Sequence, residues 1–251
     1  MTVTLLVSTF EAGTAGATVS TSNSGGGRYA DNAFDAVNIG TGAALTYDTT
    51  HAAHGSQAAS LSTGASAAVV NTVWSTSMGA QAQVWFRAYC YFTANPGASI
   101  RLWNASATSS SCGSVNLTTA GKLTMSTGTA GTSQFTFTNV IPLNQWFRFE
   151  GFLIGDPAAG QVQLGLYSPM DSLTATETHT TAAINTTGQP NKFSFGTSSS
   201  VANVGPYWMD EIGLSSTAAL GPWLPQPLAL TAATAAAGVL TESDARAGGP
   251  A

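Results

Sequence analysis

Charge is what this sequence has least of. Seven Lys or Arg and twelve Asp or Glu make up 8% of its 251 residues, against roughly 25% in an ordinary soluble domain. Lys122 and Lys192 are its only lysines. No basic patch can be drawn from so few cations, which excludes nucleic-acid binding by phosphate neutralisation. Long apolar runs are lacking as well: none reaches the ~18 residues of a membrane-spanning helix, so no membrane insertion is expected. The opening MTVTLLVSTFEAGT has no basic start and only a brief apolar stretch, so it does not read as a signal peptide. The expectation is synthesis in the cytoplasm, or a mature form whose signal is already gone; Met1 favours the first. Cysteine is scarce too. Cys90 and Cys112 read as two buried free thiols in preference to one disulfide, and neither lies in zinc-site spacing.

What fills the space is Thr, Ser, Ala, Gly and Asn around 43% hydrophobic and 9% aromatic residues. That is enough apolar material for a core and argues against disorder. Thr is β-branched and suits a pleated, half-buried surface better than a helix. A surface made polar by Thr and Ser therefore points to strands joined by turns.

The periodicity agrees. Val84–Phe92 (VWFRAYCYF) alternates strongly, with Trp85, Arg87, Tyr89 and Tyr91 on one face and Val84, Phe86, Ala88, Cys90 and Phe92 on the other. Gln145–Ile154 (QWFRFEGFLI) does the same: Trp146, Arg148, Glu150 and Phe152 against Phe147, Phe149 and Leu153. Ser99–Asn104 places Arg101 and Trp103 on one face and Ile100 and Leu102 on the other. Shorter strands are expected at 43–48, 56–63, 114–118, 122–126, around Phe135 and Phe137, and at 161–167, 192–196 and 207–215. Roughly a dozen strands with turn signals every ~8–12 residues describe an all-β, two-sheet antiparallel jelly-roll sandwich. Residues 1–222 form that domain. Residues 223–251, from Trp223-Leu224-Pro225-Gln226-Pro227 onward, form a short C-terminal arm with a possible helix over 228–240.

The chain resembles the LamG-like branch of the concanavalin A-like lectin/glucanase superfamily. The resemblance rests on Phe10-Glu11-Ala12-Gly13, Phe34-Asp35-Ala36-Val37, HAAHGSQAASL at 51–61, VWFRAYCYF, LNQWFRFEG at 143–151 and NVGPYWMDEIGLS at 203–215, in that order. The Ala/Gly/Thr-rich variant is similar to domains of tail or capsid-surface proteins of actinobacterial phages. The resemblance implies a non-enzymatic virion surface protein, a minor tail or capsid-decoration component, made in the host cytoplasm. Its partners would be other virion proteins, further copies of itself in a homo-oligomer, and cell-surface glycans. A secreted bacterial carbohydrate-binding module and a glycoside hydrolase are the alternatives.

Glucanases of this superfamily carry acids alternating on one strand, because a retaining glycosidase needs two carboxyls ~5 Å apart. This chain has no such pattern: Asp210-Glu211 are adjacent and should point to opposite faces of a strand, and Glu150 stands alone near Arg148, the two expected as an ion pair or as separate solvated contacts on a sheet face. No catalytic residue is therefore assigned. The carbohydrate-binding candidates are the charged or aromatic residues on the strongest strands: Trp85, Arg87, Tyr89, Arg101, Trp103, Arg148 and Glu150. His51 and His54 read as loop residues, and His179 as part of a Thr-rich loop. Asp31 and Asp35 could offer oxygen ligands to Ca²⁺ but read first as turn residues. No cofactor or metal is assigned, with Ca²⁺ the one ion left open.

Overall fold

The computed structural model describes residues 5–27, 30–108, 110–128 and 130–223; the expected helix over 228–240 lies outside them. The described residues form no helix, and none could cross a membrane as one. Fifteen strands follow in chain order. They are β1 (Leu5–Ser8), β2 (Ala36–Ile39), β3 (Ala44–Asp48), β4 (Ala58–Ser62) and β5 (Ala68–Trp74). Next come β6 (Gln83–Phe92), β7 (Ile100–Ala107), β8 (Ser110–Leu117), β9 (Lys122–Thr127) and β10 (Thr132–Val140). The last are β11 (Trp146–Ile154), β12 (Gly160–Tyr167), β13 (Glu177–Ile184), β14 (Lys192–Val201) and β15 (Tyr207–Ser215).

Two antiparallel sheets build the expected jelly-roll sandwich. The front sheet runs β13-β12-β11-β6-β15-β4-β3, with β1 also on β15; the back sheet runs β10-β9-β8-β7-β14-β5-β2. The apolar sets of β6 and β11 face the core as their alternation requires. Phe86 of the front sheet stacks on Trp103 of the back sheet with ring centroids 3.8 Å apart. Tyr207 stacks on Phe92 (4.7 Å), and its hydroxyl reaches Thr197 Oγ1 of the back sheet at 2.8 Å. The two cysteines are free and buried among these side chains, and burial pushes both thiols up, so they stay protonated at neutral pH.

The expectation for β7 fails at one point. A β-bulge inserts Leu102 between Arg101, opposite Asn116, and Trp103, opposite Val115. The extra residue flips every side chain that follows. Arg101 therefore stays on the outer face while Trp103 turns inward and is fully buried. His179 is also corrected. It belongs to β13 and faces inward, stacked on Phe135 at 5.2 Å and edge-on to Phe137 at 5.1 Å.

At that end the two sheets are latched together. Glu177 accepts hydrogen bonds from the N–H groups of Thr138 and Asn139, both at 2.7 Å, and lies 2.7 Å from His179 Nε2. Burial opposes its ionisation, but these bonds outweigh burial and hold the carboxyl at about 2. Glu177→Ala should leave the edge strand β10 without its latch. Amide exchange at Thr138 and Asn139 should then quicken at least tenfold while amides of β6 stay protected; unchanged exchange would show that the latch holds nothing.

Candidate functional site

Register brings most of the expected residues together on the outer face of the front sheet. Arg148 lies opposite Tyr89, Glu150 opposite Arg87, and Phe152 opposite Trp85. Arg101 and Trp103 are elsewhere, one on the outer face of the back sheet and one in the core.

Most of this face is covered by the chain itself. The loop after Tyr167 crosses Arg148, whose Nη1 donates to the Met170 carbonyl at 2.8 Å and whose Nη2 donates to the Ser172 carbonyl at 2.9 Å. The same guanidinium lies 4.0 Å above the Tyr167 ring, and its Nε stands 3.3 Å from Glu150 Oε2. Of the two arrangements expected from sequence this is the ion pair, and it is not solvated: Arg148 is only 1% exposed and Glu150 5%. The segment after β15 crosses next. Gly221 donates its N–H to Glu150 Oε1 at 2.7 Å and accepts from Arg87 Nη1 at 3.1 Å, while Trp223 N–H donates to the Tyr89 hydroxyl at 2.7 Å. Gly221 sits at φ +68, a left-handed conformation that a glycine takes without strain. A third cover is the 49–57 loop, where His54 stacks on Trp223 at 4.8 Å and meets Asp171 Oδ2 at 3.1 Å. Tyr89 also donates to Asp171 Oδ1 at 2.9 Å.

The acids of β15 depart from expectation. Glu211 is the extra residue of a second bulge: Asp210 pairs with Tyr89 and Gly213 with Arg87, so Ala88 alone faces both Glu211 and Ile212. Glu211 takes φ +48, and its carboxylate lies 3.9 Å from Arg87 Nη2. The two acids therefore share the outer side instead of splitting across the strand. Asp210 accepts from the N–H groups of Ala53 (2.9 Å) and Glu211 (2.8 Å). Burial raises the Asp210 carboxyl well above its ordinary range; burial and then the Asp210 charge push Glu211 up to about 10. The pair is enclosed beside the single Arg87, so burial and mutual repulsion make the two acids together hold a proton more tightly than exposed carboxyls do.

Asp31 and Asp35 are likewise engaged. Asp31 accepts from Thr9 N–H and Oγ1, both at 2.9 Å, and burial raises it to about 6. Asp35 caps a turn by accepting from the N–H groups of Ser75, Thr76 and Ser77 and the hydroxyls of Thr76 and Ser77; these bonds overcome burial and hold it at about 2. Among the described residues no three His, Cys, Asp or Glu are grouped to hold a metal ion.

One row of the face is partly open, at Trp85, Gln163 and Thr180, while its other members Ser215 and Phe152 are buried. Successive registers set Ser215, Trp85, Phe152, Gln163 and Thr180 in one row across β15, β6, β11, β12 and β13. At ~4.8 Å per strand the row is ~20 Å long. Trp85 is half-buried and rests on Phe152 with centroids 4.7 Å apart. Gln163 Nε2 donates to Thr180 Oγ1 at 3.0 Å. An apolar ring thus stands beside amide and hydroxyl groups, with no charge in the row. Sequence reasoning selected Trp85 but missed Gln163 and Thr180; β13 was read as loop, so nothing linked them. It also missed Asp171 and Gly221, whose partners lie far away in the chain.

No protein-family model matches the chain, and no curated protein matches it in sequence. Solved structures similar to it include the cellulose-induced protein Cip1, 14% identical, covering 71% of this chain and 88% of that one with a TM-score of 0.47. The receptor-binding domain of botulinum neurotoxin D is 9% identical over 72% of this chain and 44% of its own, TM-score 0.44. A Trypanosoma rangeli sialidase mutant displaying trans-sialidase activity is 10% identical over 69% of this chain, TM-score 0.42. The chain spans under half of the neurotoxin domain and 27% of the sialidase chain.

Proposed function

We propose that this chain is a non-catalytic domain that binds neutral glycans along the Trp85 row. The observation that carries this reading is the division of the front-sheet face. Where carboxylates stand, Arg87, Arg148, Glu150, Asp210 and Glu211 are buried and spent on holding loops. A glycosidase needs its acid pair open to substrate. Where the face is open it offers an aromatic ring with an uncharged amide and hydroxyl beside it, the lining a sugar ring can stack on and bond to. In this reading the domain works on a virion surface, as a tail or capsid-decoration component present in several linked copies. Multiple copies raise weak single-site binding through effective concentration.

Trp85→Ala should weaken binding to the best ligand of a neutral glycan panel at least tenfold, ~1.4 kcal/mol, without lowering the melting temperature by more than a few degrees. Equal binding by the variant would remove the row as the site. Release of reducing sugar from a bound polysaccharide, abolished by Glu150→Gln, would favour a hydrolase. Mass spectrometry of purified phage particles tests the location, and absence of the chain from them would sink the virion reading.

A further inference from the structure

The few charges are divided unequally between the sheets. The strands of the back sheet contain no Asp or Glu, yet they carry Arg101 on β7, Lys122 on β9 and Lys192 on β14. The strands of the front sheet carry Arg87 and Arg148 against Asp48, Glu150, Glu177, Asp210 and Glu211. Both front-sheet arginines pair with glutamates, whereas the three back-sheet cations make no ion pair among the described residues. Their chain neighbours Leu102, Leu123 and Phe193 are in the core, which puts the cations on the outer face. Lys192 is exposed, and Arg101 and Lys122 are partly so.

The surface between them is made of amides and hydroxyls: Asn38, Asn104, Ser106, Ser111 and Asn116 reach solvent, while Asn71, Ser126 and Ser194 lie nearly buried beside them. Asn38 Nδ2 donates to Asn71 Oδ1 at 2.9 Å, Ser111 Oγ donates to Asn104 Oδ1 at 3.0 Å, and Asn116 Nδ2 donates to Ser126 Oγ at 3.2 Å. A shallow depression of ≈ 240 Å³ lies across β2, β5, β14 and β7; Asn38, Asn71, Asn104, Ser106 and Ser194 line it together with Lys192.

Lys192 faces Ser106, five positions along β7 from Arg101. At ~3.3 Å per residue that is about 16 Å, twice the ~8 Å Debye length at physiological salt. The cations therefore act as separate anchors. Duplex DNA, with one charge per ~1.7 Å, asks for a dense cationic track that this face does not supply. A polymer with well-spaced anions and hydroxyls between them fits both the cations and the amides and hydroxyls between them. We propose that the outer face of the back sheet binds an acidic polysaccharide, with Arg101, Lys122 and Lys192 contacting its anionic groups and the Asn and Ser side chains its hydroxyls. This site is separate from the Trp85 row and stands without it.

The test uses the full chain on immobilised polygalacturonate, with dextran and duplex DNA as comparisons. The wild type should be retained at low salt and released as salt rises. The triple variant Arg101→Gln, Lys122→Gln, Lys192→Gln should bind at least tenfold more weakly, with little salt dependence left. Trp85→Ala should bind polygalacturonate like the wild type. If the triple variant melts early, Lys192→Gln alone, at an exposed position, should still weaken binding about threefold. No retention of the wild type, equal retention of the triple variant, loss in Trp85→Ala, or equally tight binding of duplex DNA would each overturn the proposal.

Discussion

Arg148→Met should lower the unfolding free energy by about 3–5 kcal/mol, a fall in melting temperature of roughly 10 °C for a domain of this size. The side chain that sequence reasoning marks for a ligand is instead a tie between β11 and the loop after Tyr167. Its two terminal nitrogens serve the carbonyls of Met170 and Ser172, its flat face lies on Tyr167, and its Nε side faces Glu150. Methionine preserves much of the volume but leaves two carbonyls without donors and Glu150 as an enclosed, unpaired carboxylate. The unpaired charge is the larger loss. Arg148→Lys should rescue little, because one ammonium cannot take over a planar fork that reaches two carbonyls and stacks on a ring. Adding Glu150→Leu to Arg148→Met should recover part of the loss by removing the stranded charge, although Gly221 N–H then loses its acceptor. Urea melts of the four proteins check this order. A stable Arg148→Met single variant would mean that the loops do not depend on Arg148 and that the face is available to a ligand after all.

This result also shows where the sequence is readable. Alternation in VWFRAYCYF and QWFRFEGFLI placed the side chains it assigned on β6 and β11 on their correct faces, because nothing interrupts the two-residue period there. Ser99–Asn104 looked equally clear and misled, because Leu102 is an unpaired residue and one extra residue reverses the faces beyond it. Glu211 did the same to the acid pair. Whether a strand bulges depends on the register of its neighbours, which local pattern does not contain. β5 was passed over for a related reason. Asn71 and Val73 on its outer side are as buried as Val70 and Trp74 on its inner side, so polarity along it does not follow the pleat. The cover over Arg87, Tyr89, Arg148 and Glu150 was out of reach altogether. Its hydrogen bonds to those four residues join positions up to 134 apart, and its donors and acceptors are mostly backbone groups, which every residue possesses.

Stability should be greatest near pH 4–5 and decline toward pH 8. Asp31, raised by burial to about 6, and Glu211, raised to about 10, both bind protons more tightly in the folded chain than in the unfolded one. Their stabilising effect is complete below ~4, where both states are protonated. It is lost as pH rises through the folded value, since the unfolded chain ionises first. For Asp31 that loss falls between pH ~4 and about 6. At ~1.4 kcal/mol per pH unit between its unfolded and folded values, it amounts to ~3 kcal/mol. Glu211, enclosed beside Asp210, extends the decline to higher pH. Asp35 and Glu177, both held at about 2, act in the opposite sense: their hydrogen bonds stabilise above ~4 and are lost as pH falls toward 2. The maximum lies between the two limbs. Asn at position 31 can still accept from Thr9 and carries no charge, so Asp31→Asn should flatten the decline between pH 4 and 6 by ~3 kcal/mol and leave the acid limb unchanged. Denaturant melts from pH 3 to 9 measure both limbs. A wild-type stability that climbs from pH 5 to 8 would mean that Asp31 and Glu211 ionise as readily in the folded chain as in the unfolded one, and would overturn the prediction.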